Sequence, residues 1–308
     1  MTTTIPTTPG NAAGLPTSAD GTSPPARPST GRGPGRQIGR FLAYVVLVFF
    51  SIVYLYPFLI QIVTSFKTDT DATNSPLTLL PDPVTTAAFS RLFDTQFPLW
   101  AFNSVWVAVL VTAGRVFLCS LAGYALARLR FRGRSALFTA VLAVMAVPSV
   151  VLLIPKFLVL NQLGIYDTPV ALFLPLVADA AGVFIMKQFF ESVPASIEEA
   201  ARIDGASTFR VFWSVVLPMA RPALITLTIL SFQASWNELP HFIVASQDRD
   251  LYTLTKGVAT LTTGQLGSGN QFPLTLGAAL LMTIPVAIVF FVFQRYFVAG
   301  ANEGGVKG

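Results

Sequence analysis

No charged residue occurs between Arg40 and Lys67, and this gap marks the first of six apolar runs. A helix that crosses a bilayer needs about 20 mainly apolar residues. Runs of that length lie near 41–65, 102–127, 135–158, 168–190, 222–245 and 271–294. Arg115 interrupts the second, and Asp179 lies inside the fourth. Glu238, Pro240 and His241 crowd the far end of the fifth. The pattern predicts an all-α integral membrane domain over 38–308 with six transmembrane helices, a loop at 67–101 and a polar connection at 191–221.

Residues 1–37 break the pattern. They hold seven prolines among Thr, Ser, Gly and Ala. Such a segment buries too little apolar surface to offset its ordering entropy, so a disordered tail is expected. It has no apolar core of the kind a signal peptide needs.

Composition agrees with a bilayer as the solvent. Hydrophobic residues make up 53% of the chain and charged residues 11%, against about 25% charged in soluble proteins. A disulfide framework is excluded by a single cysteine, Cys119, read as a small packing residue in an apolar run. No metal site is expected, because His241 is the only histidine. Nucleic-acid binding is a poor reading of the net charge of +5, since the bases lie in short clusters between apolar runs.

Those clusters set the orientation. Fourteen Lys and Arg fall in the tail, at 128–134, at 187–221 and at the C-terminal end. Five fall in the opposite loops (Lys67, Arg91, Lys156, Arg249, Lys256). By the positive-inside rule both termini and the 191–221 connection are expected in the cytoplasm.

The 191–221 connection reads as two short helices. Ser196 with Glu199 fits a capping box. Gly205 suits the left-handed position at the end of the first helix. Ser207 can start the second, with Phe209, Phe212 and Trp213 on its apolar side, and Leu217-Pro218 would stop it. Ala200, Ala201, Gly205 and Ala206 leave the backbone open to close approach by another surface, and Phe209 and Phe212 offer apolar anchors. By physics alone, an amphipathic connector on the membrane surface fits as well.

The order of residues narrows this. Glu199-Ala200-Ala201-x-x-Asp204-Gly205-Ala206, then Val215-x-Leu217-Pro218, resembles the EAA loop of bacterial ABC importer permeases, although that family usually has Ile at the position of Val215. Further stretches resemble its carbohydrate-uptake, MalG-like branch: Tyr56-Pro57-Phe58, Asn103-Ser104, Tyr124 to Arg128, Arg130-Phe131, Trp236-Asn237 and Gln294 to Val298. The resemblance covers about 40–308 and leaves out the tail.

The resemblance implies a MetI/MalG-like transmembrane domain whose coupling helix is the EAA loop. It implies a sugar-importing permease subunit in the bacterial cytoplasmic membrane. Its partners would be a second homologous permease, a cytoplasmic ABC ATPase dimer and an extracytoplasmic sugar-binding (lipo)protein. Coupling to the ATPase would fall on Glu199, Ala200, Ala201, Asp204, Gly205, Ala206, Phe209, Leu217 and Pro218. Glu199 and Asp204 could take charge-assisted hydrogen bonds from that partner, or from Arg202 and Arg210. The sequence contains no Gly-x-x-x-x-Gly-Lys-Ser/Thr, so ATP and Mg are expected on the partner and no cofactor on this chain.

Polar residues within the runs supply the remaining candidates. Arg115 and Asp179 would either pair or line a wet path, since a central charge costs about 2.5–3.5 kcal/mol on insertion scales; Arg115 could instead face the companion permease. Trp236, Asn237 and Glu238, with Gln233 and Asn103, combine an aromatic face with amide and carboxyl groups and suit a sugar pathway, or anchor the interface. The alternative function is a stand-alone secondary transporter or channel, which would need its own coupling-ion site. Enzymatic activity is not expected, because no nucleophile–base motif appears. The sugar stays open among maltose- or trehalose-like glucosides, chito-oligosaccharides or N-acetylglucosamine, polyols and glycerol phosphate esters.

Overall fold

The computed structural model describes residues 34–262 and 271–304. All regular structure among them is helical. The chain divides into two compact units, residues 1–54 and 55–308, with the boundary inside the first helix, α1 (Pro34–Ser65). The helix begins at Pro34, so the predicted tail ends four residues early; residues 1–33 of that tail lie outside the described residues. At 1.5 Å per residue α1 is long enough to cross a hydrocarbon core of about 30 Å. Its side chains from Ile38 to Tyr54 are exposed and almost all apolar, a surface that suits lipid or protein rather than water.

In the second unit, α2 (Asp69–Asn74) and α3 (Ala87–Phe93) fill the 67–96 loop. The central element is α4 (Phe97–Arg128), an unbroken helix of 32 residues. Then follow α5 (Arg134–Met145), a 3₁₀ turn (Ser149–Leu152), α6 (Leu153–Gln162), α7 (Pro169–Phe173), a 3₁₀ turn (Leu174–Leu176) and α8 (Ala180–Ser192). The connection carries α9 (Ala195–Ile203), α10 (Thr208–Val211), a π-helical turn (Phe212–Val216) and α11 (Leu217–Met219). The chain ends with α12 (Arg221–Trp236), α13 (Pro240–Ala245), a 3₁₀ turn (Arg249–Leu251), α14 (Leu254–Thr262) and α15 (Phe272–Gly304).

Among the described residues three single helices, in α1, α4 and α15, are long and apolar enough to cross a membrane. Three more spans form only if bent pairs count as one each, which brings the total to the six expected. The bends correct the picture of straight runs. Residues 134–162 turn by 101° between Met145 and Ser149, where Pro148 holds an extended conformation. Residues 169–192 bend by 40° at Asp179. Residues 208–236 bend by 80° between Met219 and Arg221. The predicted fifth span at 222–245 stops at Trp236, and α13 is a separate short helix.

Packing centres on α4, against which α8 and α12 both lie. The α4–α8 approach depends on missing side chains. A Cβ on Gly123 would stand 2.9 Å from the Lys187 backbone nitrogen and 2.7 Å from Met186 Cβ. A Cβ on Gly182 would meet Cys119 Sγ at 2.8 Å. Cys119 is buried there as a packing residue, with its thiol donating to the Asp179 carbonyl at 3.4 Å. Tyr124, Phe190, Phe212 and Val216 form a core near the Arg128 end of α4. Trp100, Trp236, Leu254 and Leu274 form another toward the Phe97 end.

Candidate functional site

The EAA segment folds as a knuckle of two short helices. Pro194, in an extended conformation, starts α9. The capping box does not form: the helix opens at Ala195 without a side-chain cap, so Ser196 and Glu199 lie inside it. The C-terminal end behaves as predicted. Gly205 sits at φ +82; its N–H bonds to Arg202 O at 3.0 Å, and Ala206 N–H bonds to Ala201 O at 3.0 Å. Those two bonds form a Schellman closure around a left-handed residue. Ser207 then caps α10, its Oγ accepting from Arg210 N at 3.4 Å. Leu217-Pro218 does not stop the second helix, which widens into a π turn over Phe212–Val216 and continues to Met219. Proline lacks an N–H for the preceding turn and its ring crowds it, and an inserted residue relieves both.

The knuckle is fixed to the membrane helix by a residue the sequence reading passed over. Glu198, not Glu199, is the buried acid of the motif. Its carboxylate accepts a hydrogen bond from the Tyr124 hydroxyl at 3.2 Å and forms ion pairs with Arg128, whose Nε stands 2.9 Å away, and, more distantly, with Arg202 at 3.8 Å. Arg128 also donates to the Val193 carbonyl, which ties down the chain entering α9. Around this clamp Glu191 pairs with Lys187 at 2.7 Å and Arg134 at 3.6 Å. The helical spacing of Glu198 and Arg202 was a visible signal. The partnership with Tyr124 and Arg128, 70 or more positions away, was not.

Of the predicted coupling residues, Glu199, Ala200, Asp204, Gly205, Phe209 and Pro218 face outward, while Ala201, Ala206 and Leu217 pack partly against the core. The expected bonds from Arg202 and Arg210 to Glu199 and Asp204 are absent: Arg202 turns to Glu198, and neither acid makes an ion pair among the described residues. Phe212 is no anchor for a partner, being buried against Tyr124 and Phe190. Phe209 remains exposed and stacks on exposed Trp213, with ring centroids 6.3 Å apart and planes within 12°. The outer face thus offers an aromatic pair, two free carboxylates and a backbone bare at Gly205, where an added Cβ would meet nothing within 4 Å.

The polar residues of the spans prove mostly structural. Arg115 and Asp179 do not pair. Arg115 Nε donates to the Leu176 carbonyl at 2.5 Å, and Asp179 caps α8 by accepting from Gly182 N at 2.7 Å. Each serves the break in the fourth span, one taking a carbonyl left by the turn and the other an orphan N–H. Trp236 is buried, with its indole donating to Met282 O at 3.1 Å. Glu238 accepts from His241 N at 2.9 Å at the start of α13. Asn103 is buried and saturated: it donates to Asp250 O and Tyr252 O at 2.8 and 2.9 Å and accepts from Trp106 Nε1 at 3.1 Å. Of these candidates only Gln233 on α12 and Asn237 at its C-cap keep exposed side chains, the Asn237 amide donating to Gln233 O at 3.0 Å. Lys256, outside the spans, donates to the Ser246 carbonyl and stands 4.3 Å over the Tyr252 ring. Burial lowers its ammonium from the usual lysine range, with Asp167 opposing the shift.

Comparison with known proteins places this architecture. The family described as "Binding-protein-dependent transport system inner membrane component" matches residues 116–302. The arabinooligosaccharides transport system permease protein AraQ of Halalkalibacterium halodurans is 32% identical over 87% of this chain and 96% of its own length. The sulfoquinovosyl glycerol transport system permease protein SmoH of Agrobacterium fabrum is 34% identical over 87% and 93%. A bacterial ABC transporter that imports the acidic polysaccharide alginate superposes with a TM-score of 0.74 at 26% identity, over 86% of this chain and 98% of that one. The clamped knuckle, the bent spans and these likenesses converge: the chain belongs to the family of binding-protein-dependent transport system inner membrane components and is a membrane permease of that class.

Proposed function

We propose that this permease carries a sugar or oligosaccharide into a bacterial cell and is driven by ATP hydrolysis on a separate cytoplasmic subunit. The observation that carries the reading is the knuckle. Its outward face is left uncovered by the described residues, and its base is tied to α4 through the Glu198–Arg128 ion pair. A motor that gripped Glu199, Asp204, Gly205 and Phe209 would therefore move the α4 end with little loss in the joint. Nucleotide and Mg belong on that motor, because this chain has no phosphate-binding loop in its sequence. A second permease would complete the pathway, and an extracytoplasmic binding protein would deliver the sugar. Both termini lie in the cytoplasm in this reading. The two central charges that could hold the coupling ion of a stand-alone transporter, Arg115 and Asp179, are instead engaged by the backbone.

The one native cysteine, Cys119, is buried, so thiols introduced on the knuckle can be read in its presence. Glu199→Cys and Phe209→Cys place a reactive thiol on the knuckle of the co-expressed complex. Crosslinking to a nucleotide-hydrolysing subunit, with loss of ATP-driven sugar uptake, is the expected result. Uptake by the chain alone in liposomes, with no such crosslink, would overturn the reading.

A further inference from the structure

At the end of α4 opposite the knuckle lies a second polar feature. Asp94, Gln96, Trp100, Arg249 and Tyr252 line one pocket of about 370 Å³, within the ~300–1,000 Å³ range of small-molecule sites. Its walls are fixed. The Trp100 ring lies so close to Gly257 that an added Cβ would fall 2.2 Å from it. Asn103 and Ser104 staple the 250–254 turn by side-chain bonds to Asp250 O, Tyr252 O and Leu254 N. Gln96 is held by Asp250 at 2.9 Å.

Three of the lining residues, by contrast, keep unspent polar groups: Asp94, Trp100 and Arg249. Trp100 is 5% exposed, and its indole N–H is buried without a hydrogen-bond partner. An unpartnered buried donor is costly in a folded protein. Asp94 and Arg249 line the same pocket, yet neither forms an ion pair among the described residues. A ligand that fits must donate to the carboxylate, accept from the guanidinium, and lay an apolar face on an aromatic ring. Vicinal hydroxyls on a pyranose or furanose do all three. The acids Asp94 and Asp250 offset the bases Arg249 and nearby Lys256, so no excess positive charge favours an anion.

We infer that this pocket is a saccharide subsite on the outer mouth of the permease, selective for uncharged oligosaccharides over phosphorylated, sulfonated or uronic acid ones. The inference rests on the importer reading for its orientation and deepens it by naming the substrate class. The pocket receives the glycoside as it leaves the binding protein and holds it before the pathway opens.

The test uses the full complex in nanodiscs and saturation-transfer NMR. The probes are maltotriose and arabinotriose as neutral ligands, and glycerol 3-phosphate and trimannuronate as anions. A neutral trisaccharide should bind, and Asp94→Ala or Arg249→Ala, both at exposed positions, should weaken it about tenfold or more. The melting temperature of these variants should not move. Failure of all four probes, equal binding by the variants, or preference for the anions overturns the inference. ATPase co-purification, read in parallel, separates the two ideas. A coupled ATPase without saccharide at the pocket sinks only the subsite. Saccharide lost in both variants but no ATPase sinks only the importer reading.

Discussion

Removing the Glu198 carboxylate should uncouple the knuckle from the membrane helix. Glu198 and Arg128 are 2.9 Å apart, with side chains 7% and 15% exposed. At an effective dielectric of 20 their attraction is about 6 kcal/mol. Desolvating two ions costs several kcal/mol each, so the intact pair contributes little net stability. One partner left alone is a different case, since an uncompensated buried charge costs about 3–5 kcal/mol. Glu198→Ala also strands the Tyr124 hydroxyl, whose bond to the carboxylate is worth about 1.5–3 kcal/mol. These terms overlap, and a loss of about 3 kcal/mol is expected for the single substitution. Glu198→Ala with Arg128→Met removes both charges and should recover much of the stability. It should not recover transport, because the knuckle then lacks its tether. Thermal unfolding of the purified complex reads the first quantity. ATP hydrolysis and sugar uptake in proteoliposomes read the second, with hydrolysis continuing while uptake falls. If Glu198→Ala unfolds at the parental temperature and transports normally, the clamp does not bear the force.

Other substitutions probe separate parts of the molecule. Gly205→Asp adds a side chain in open space at a left-handed position, so membrane insertion should persist while ATP-driven uptake is lost; normal uptake would show that nothing docks there. Gly123→Leu drives a side chain into the Lys187 backbone and should abolish accumulation of folded protein, measured by fluorescence-detected size exclusion of a tagged chain. Asp179→Ala removes an N-cap and should cost about 0.5–2 kcal/mol, whereas the charge swap Arg115→Asp with Asp179→Arg should give no rescue in a thermal melt, because the two do not touch. Asn103→Ala should loosen the 250–254 turn, seen as faster hydrogen exchange there, while leaving exchange in α9 unchanged.

The long apolar runs, the end of the first short helix at Gly205 and the start of the second at Ser207 were legible in the sequence because each is local. A charge-free stretch fixes a span by length alone. Gly205 and Ser207 act within three residues of themselves, so their geometry follows from residue type. The bends were not legible from hydropathy, which scores straight and broken spans alike. Pro148 and Asp179 gave hints, but only packing against α4 decides whether such a residue kinks a helix or ends it. Glu198 illustrates the deeper obstacle. It and Glu199 are chemically the same, and the helix places one inward and the other outward. Which of them meets Arg128 depends on how α9 docks on α4, a contact that no periodicity encodes. The same distinction reshapes the pathway candidates on α12. Trp236 and Gln233 are three residues apart, yet the first is consumed by Met282 and the second is free. We propose that the exposed positions Gln233 and Asn237 take the sugar-facing role expected of the Trp236-Asn237-Glu238 triplet. Their two amides bear no charge. A pathway lined in this way and the charge-balanced pocket at the outer mouth would favour the same neutral cargo, so a specificity for anions would contradict both ends at once.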